Sequence, residues 1–134
     1  MLPLRLLVAS ADRRLLRTVV ALFDPECEVR TAGTGLECIQ KLRDGPPDLL
    51  VLVPPILWGG EAGVVAVMAD DPALNRVPVL VLPDPAGPDA AVAQFVPRRT
   101  GHSASVARVV GRMCRCFRHH YCLTAGAPAA ARVA

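Results

Sequence analysis

Short apolar runs follow one another along the first two thirds of the chain, and their pattern predicts a sheet. The runs at residues 48–53 and 78–82 are apolar throughout after their first residue. Strands without polar alternation are buried on both faces, as in a parallel sheet covered by helices on each side. Residues 4–9 and 27–31 predict two further strands, and residues 94–97 predict a short fifth strand.

Helical spacing fills most of the segments between these runs. Asp12 and Thr34 stand where each can cap a helix, and a third helix is expected near residues 61–69. Only twelve residues separate Leu82 from Phe95, and three of them are proline, so any fourth helix there is shortened to one or two turns. Strands alternating with helices predict an α/β fold with a doubly wound, five-stranded parallel sheet.

The last helix has the clearest two-sided pattern in the chain. Ser103 can cap it, and the apolar residues that follow fall on one side at helical spacing. The opposite side carries Arg108, Arg112 and Arg115. The Ala-rich end has no periodicity, so we expect one domain at residues 1–119 and a flexible tail at residues 120–134.

Composition limits the class of protein. A chain of 134 residues with 52% hydrophobic content suits one domain with an ordinary core. No apolar stretch reaches the roughly 18 residues of a membrane span, and Arg5 interrupts the apolar start, so neither a transmembrane helix nor a signal peptide is expected. The expected compartment is the cytoplasm, where the five cysteines stay reduced.

The net charge of +3 is unevenly distributed. Residues 1–97 hold eight Lys or Arg against twelve Asp or Glu, a balance of −4, whereas residues 98–134 hold seven Arg and no acidic residue, a balance of +7. Such an asymmetry indicates that the C-terminal part contacts an anionic partner. The alternative is that these arginines form a solvated surface without a partner.

Four stretches occur in an order and spacing that are typical of one family. They are LLVASAD at residues 6–12, EVRTAG at 28–33, PDLLVL at 47–52 and VPVLVL at 77–82. Together they resemble the receiver domain of bacterial two-component response regulators, over about residues 4–118. The resemblance implies a flavodoxin-like, three-layer α/β sandwich and a role in signalling.

The chemistry of that family depends on carboxylates at one edge of the sheet. A carboxylate after the third strand accepts a phosphoryl group, and an acidic pair after the first strand holds Mg²⁺. Matched position by position, Val53 replaces the acceptor, while Ser10 and Ala11 replace the acidic pair and leave only Asp12 nearby.

Two further positions of the family contact the phosphate. Pro83 stands where the resemblance implies a hydroxyl after the fourth strand, and Arg98 best matches the lysine after the fifth. The resemblance therefore implies a degenerate receiver that takes up neither Mg²⁺ nor another cofactor. We expect it to be no enzyme and to act by binding a protein partner, which includes a second copy of itself.

Two surfaces are candidates for that partner. Trp58 lies in a glycine-containing loop after the third strand, where α/β folds bind ligands or partners, although it could equally fold over the vacated pocket. Arg108, Arg112 and Arg115 form the second surface. Nucleic acid is a weaker alternative, because the sequence contains no helix-turn-helix or other DNA-reading module. No membrane partner is expected.

A metal- or redox-responsive protein is the alternative from another class. Its candidate ligands are Cys114, Cys116, His119, His120 and Cys122. Their spacing matches no standard zinc motif, and on a continuous helix the first two cysteines point about 200° apart. The sequence therefore favours cysteines that pack in or beside the core.

Overall fold

The computed structural model describes residues 3–24, 26–57, 60–82, 94–96, 103–125 and 132–133. The first half contains β1 (Leu4–Ala9), α1 (Arg13–Phe23), β2 (Cys27–Ala32), α2 (Gly35–Asp44) and β3 (Leu49–Leu52). The second half contains α3 (Gly60–Asp70), β4 (Val79–Val81), β5 (Gln94–Val96), α4 (Ser103–Ala125) and β6 (Arg132–Val133). None of the helices within the described ranges has the length and apolar character that a membrane span requires.

The strands form one sheet in the order β2-β1-β3-β4-β5-β6. β1 pairs in parallel with β2 and β3, and β3 pairs in parallel with β4, which confirms an α/β fold built on a parallel sheet. The prediction of five parallel strands is wrong for β5, which runs antiparallel to β4 with Leu80 opposite Phe95. A parallel return needs a crossover of about a dozen residues or more, and the proline-rich link between these strands has barely that length.

The structure assigns a helix and a short strand within residues 120–134, where a flexible tail is predicted. α4 continues through the expected boundary at residue 119 and ends at Ala125, and Arg132–Val133 add β6 beside β5. No glycine or proline occurs between Gly111 and Gly126, so the sequence contains no strong helix breaker over that stretch. A strand of two residues is too short to leave a hydrophobic pattern. The segment in which a shortened fourth helix was expected lies outside the described residues.

Helices cover both faces of the sheet, so the described residues form two cores. One core lies beneath α1 and α4, where Phe23 and Met113 are fully buried. The second core lies beneath α2 and α3, where Leu42 and Met68 are fully buried. Leu, Val and a few sulfur-containing side chains fill both layers, as expected from an aromatic content of only 4%.

Local signals fix where the first two helices begin. Asp12 caps α1 by accepting from the backbone N–H groups of Arg14 and Leu15, and the Thr34 hydroxyl caps α2 by accepting from the N–H of Glu37. Both caps confirm the predicted helix starts. β2 forms one edge of the sheet and carries the exposed Glu28 and the half-buried Arg30, whose guanidinium donates to the Gly45 carbonyl beyond the end of α2.

Candidate functional site

The carboxyl ends of β1 and β3 bring together the residues that match the phosphoacceptor pocket. We call this place the rim; it consists of residues 10–12 and 53–57. Ser10 is completely buried, and its backbone N–H donates to the Ala32 carbonyl at 3.0 Å. Its hydroxyl accepts from the backbone N–H of Asp12 at 3.1 Å. Ser10 therefore holds the corner between β1 and α1 in place.

Asp12 is the only carboxylate of the rim. It is exposed, and its Oδ1 accepts from the backbone N–H of Arg14 at 3.0 Å and from that of Leu15 at 3.2 Å. A hard cation such as Mg²⁺ needs several oxygen ligands and is usually held by more than one acidic group. A single carboxylate that already caps a helix, beside Ala11 and a buried hydroxyl, does not fit such a site.

Val53 lies where the resemblance implies the phosphoryl acceptor. Its backbone N–H donates to the Ala9 carbonyl at 2.9 Å, and only 1% of the residue is exposed. The side chain belongs to the core beneath α1 and α4, together with Val51 and Leu82. A buried hydrocarbon at this point can neither attack phosphorus nor ligate a metal.

The loop at residues 53–57 crosses the rim and is bonded to both neighbouring corners. The N–H of Ala11 donates to the Pro55 carbonyl at 2.9 Å, and the N–H of Gly35 donates to the Leu57 carbonyl at 2.8 Å. Thr34 and Leu57 also form a parallel bridge. The Pro54–Pro55 peptide is cis. Backbone groups and apolar side chains thus occupy the edge at which a receiver carries its charged groups.

Two exposed leucines that sequence reasoning did not select lie where this loop meets the start of α2. Leu36 is 61% exposed and Leu57 is 57% exposed, and the bond between Gly35 and Leu57 brings their backbones close together. The sequence holds no signal for Leu36, because it precedes the buried Ile39 by three residues and helical spacing alone would place it inside. We call this pair the rim leucines.

Three predicted site residues lie outside the described part of the chain: Trp58, Pro83 and Arg98. The direction of β5 nevertheless changes one expectation. Val96 pairs with Val79 at the start of β4, and Gln94 pairs with Val81 at its end. β5 therefore ends at the edge of the sheet opposite to the rim, whereas the resemblance implies that a fifth strand ends at the rim.

The three arginines predicted on the last helix have different environments in the structure. Arg108 and Arg115 are exposed. Arg112 is half-buried and turns toward α1: its guanidinium pairs with the Glu26 carboxylate, donates to the Leu22 carbonyl at 2.8 Å and lies 4.8 Å from the centre of the Phe23 ring. Arg112 thus joins α4 to the end of α1.

The candidate metal ligands on α4 are only partly described. Cys114 is buried in the core beneath α1 and α4, and the helix is continuous there, as predicted. The side chains of Cys116, His119, His120 and Cys122 lie outside the described set. Among the side chains that are described, no group of three or more His, Cys, Asp or Glu could hold a metal ion.

Burial makes two other cysteines poor nucleophiles. Desolvation, with the Glu37 charge adding to it, raises the pKa of the Cys38 thiol to about 12. Desolvation also raises the pKa of Cys27, with a further increase from Glu26 and an opposing effect of Arg112. Both side chains are therefore protonated thiols near neutral pH, and the thiolate is the form that reacts.

The fold is similar to that of solved response-regulator receiver domains. The N-terminal domain of a response regulator receiver protein from Methanoculleus marisnigri JR1 is 23% identical, with a TM-score of 0.59 over 79% of this chain and 93% of its own. The chemotaxis response regulator CheY4 of Vibrio cholerae is 16% identical, with a TM-score of 0.57 over 82% of each chain.

A third similar structure, the phosphorylated response regulator of a cyanobacterial phytochrome, is 26% identical, with a TM-score of 0.53 over 60% of this chain and 65% of its own. No protein-family model and no curated protein matches the sequence. These structures confirm the receiver-like fold that the four sequence stretches predict.

Proposed function

We propose that this protein is a receiver-like interaction module that works without phosphorylation in a bacterial signalling or scaffolding assembly. One observation carries the proposal: the position of the phosphoryl acceptor holds Val53, which is 1% exposed at the start of a loop that is bonded across the rim. The protein would act in the cytoplasm, bind no cofactor and catalyse no reaction.

The electrostatics of the rim support this proposal. Phosphoryl transfer to a carboxylate requires a nucleophile and a cation that offsets the charge of the incoming phosphate. Here the corner after β1 offers one exposed carboxylate, and its Oδ1 accepts from two backbone N–H groups in the first turn of α1. Replacing one residue would not restore the pocket, because the acceptor and the acidic pair are both missing.

The rim leucines support a role in binding. Their backbones lie close together and both side chains are more than half exposed, and contiguous exposed apolar surface marks contact sites. Leu36 and Leu57 lie at the sheet edge where receiver-like folds expose their functional groups. A partner with an apolar side chain at this point would cover both.

Acetyl phosphate with Mg²⁺ tests the independence from phosphorylation. We expect intact-mass spectrometry to find no phosphoryl adduct on this protein after an incubation that fully modifies a receiver domain with the complete acidic set. A stable adduct that hydroxylamine removes would identify an aspartyl phosphate and would contradict the proposal.

The binding role is tested by comparing three substitutions in a quantitative capture from lysate of the native host. Leu36→Asp and Leu57→Asp should each lower recovery of a bound partner about tenfold, as expected when an apolar anchor of a small interface is lost. Val67→Asp is the matched control, because Val67 is 37% exposed on the outer surface of α3, away from the rim. Equal recovery with all three variants would show that the rim leucines bind no partner.

A further inference from the structure

The helices that cover the two faces of the sheet differ in charge. α1 contains Arg13, Arg14 and Arg17 and no acidic residue, and α4 is likewise free of acidic residues. On the opposite face, α2 and α3 contain four acidic residues and two basic ones. The contrast goes beyond the charge division along the sequence, because α1 comes from the acidic N-terminal part.

The two helices that carry these basic residues lie side by side over one core, and we call their outer surface the α1–α4 face. α1 and α4 cover the same core, and the bond from Arg112 to the Leu22 carbonyl joins them directly. The exposed arginines of this face are Arg13, Arg14, Arg17, Arg108 and Arg115. Arg112 is already paired with Glu26 and is therefore a positioning residue that holds the two helices together.

The outer side of α4 carries small residues between and beside its exposed arginines. Arg108 and Arg115 are seven residues apart, which places their Cα atoms about 10.5 Å apart along the helix axis. Gly111 lies between them, and the Arg115 guanidinium lies over it: a Cβ added to Gly111 would be 3.4 Å from Arg115 Nη1. Ala104 and Ala107 are also exposed on this helix, so small side chains flank the arginines.

The chemistry of this face favours carboxylates on a protein over phosphates on a nucleic acid. Arginine pairs with either anion through two parallel hydrogen bonds. However, Leu22 is 40% exposed beside Arg112, and the described side chains of the α1–α4 face include no exposed aromatic ring on which a base could stack. An apolar contact among arginines and small residues suits an amphipathic helix.

We propose that the α1–α4 face binds an acidic helix of a protein partner, with carboxylates of that helix seven residues apart paired with Arg108 and Arg115. A heptad repeat returns to the same side of a helix and so matches the spacing of the two arginines. This inference rests on the proposed role as an interaction module and specifies the chemistry of one partner. It is independent of the rim leucines, which lie at the edge of the sheet.

Binding of a designed peptide to the full chain tests the proposal. The probe is a capped, alanine-rich helical peptide of about three heptads with glutamate at one heptad position, and a scrambled peptide of the same composition is its control. By fluorescence anisotropy at low salt, we expect the heptad peptide to bind at least fivefold more tightly. Arg108→Glu and Arg115→Glu should each weaken binding about tenfold, whereas Arg76→Glu, an equal charge change at an exposed site on another surface, should leave it within twofold.

Other outcomes identify other occupants and overturn the proposal. If the two peptides bind equally, or if Arg76→Glu weakens binding as much as Arg108→Glu and Arg115→Glu do, the face attracts negative charge without specificity. Tighter binding to a duplex DNA, or to vesicles containing phosphatidylserine, would assign it to phosphates. A salt-sensitive dimer in sedimentation velocity would assign it to a second copy of the chain. None of these results would affect the phosphorylation and rim-leucine tests, so a failure here is distinguishable from a failure of the proposed function.

Discussion

The rim and the α1–α4 face differ in how they use polar groups. At the rim, neutral backbone groups bond to each other, as between Ala11 and Pro55, and the acceptor position holds a buried valine. On the α1–α4 face, five arginines are exposed and one bridges the helices. One receiver-like fold thus combines a rim that has a single carboxylate with a helical surface rich in arginine, and charge on such a surface affects specificity more than raw affinity.

Val53→Asp should have the largest effect, because it places a carboxylate in a closed apolar position. We expect a loss of about 3–5 kcal/mol in the free energy of unfolding, measured by urea denaturation, since an unpaired buried charge is costly. Val53→Ala is the control and should cost about 1–2 kcal/mol. A Val53→Asp variant as stable as Val53→Ala would mean that the loop opens and that the contrast between rim and face is weaker than described.

Arg112→Ala tests the α1–α4 face, because Arg112 bridges two helices whereas the other arginines of the face are exposed. We expect it to lower the free energy of unfolding by about 1–2 kcal/mol, because the variant loses a carbonyl hydrogen bond, an ion pair and a cation–π contact. Arg108→Ala should stay within about 0.5 kcal/mol of the unsubstituted protein. The free energies of unfolding of the two variants are measured by thermal and urea denaturation. If Arg112→Ala and Arg108→Ala lower this free energy equally, Arg112 does not hold α4 to α1.

Asp12→Ala should have the smallest effect on stability. It tests whether the carboxylate of the rim acts as a helix cap or as a metal ligand. A helix cap contributes about 1 kcal/mol, so the variant should be less stable by that amount, and Asp12→Asn should keep most of it. Millimolar Mg²⁺ should leave the melting temperature of all three proteins unchanged. A rise in melting temperature with Mg²⁺ that Asp12→Ala abolishes would reveal a metal site at the rim.

The sequence predicts those parts of the fold that depend on local chemistry. Apolar runs predict β1, β3 and β4, with Arg5 the one interruption in β1, because a strand covered on both faces has no polar side. Asp12 and Thr34 mark helix starts because a cap bonds within its own first turn. The absence of acidic side chains at positions 10, 11 and 53 is equally a property of the sequence alone.

The remaining features depend on contacts between distant segments. The direction of β5 depends on whether the short proline-rich link after β4 is long enough to carry the chain back for a parallel strand. The path of the loop at residues 53–57 depends on hydrogen bonds to Ala11 and Gly35. Helical spacing places Arg112 beside Arg108 on the outer side, but the carbonyl of Leu22 that turns it inward is 90 residues away in sequence. Periodicity cannot reveal such a partner.

The edge position of β2 has a consequence for how this chain behaves at high concentration. An edge strand presents unpaired backbone groups on which another polypeptide can add as a further strand. Glu28 and Arg30 interrupt that edge with charge, and Arg30 is tied back to the Gly45 carbonyl. Charged side chains on a border strand discourage edge-to-edge aggregation, so we expect neutralising Glu28 and Arg30 to promote it.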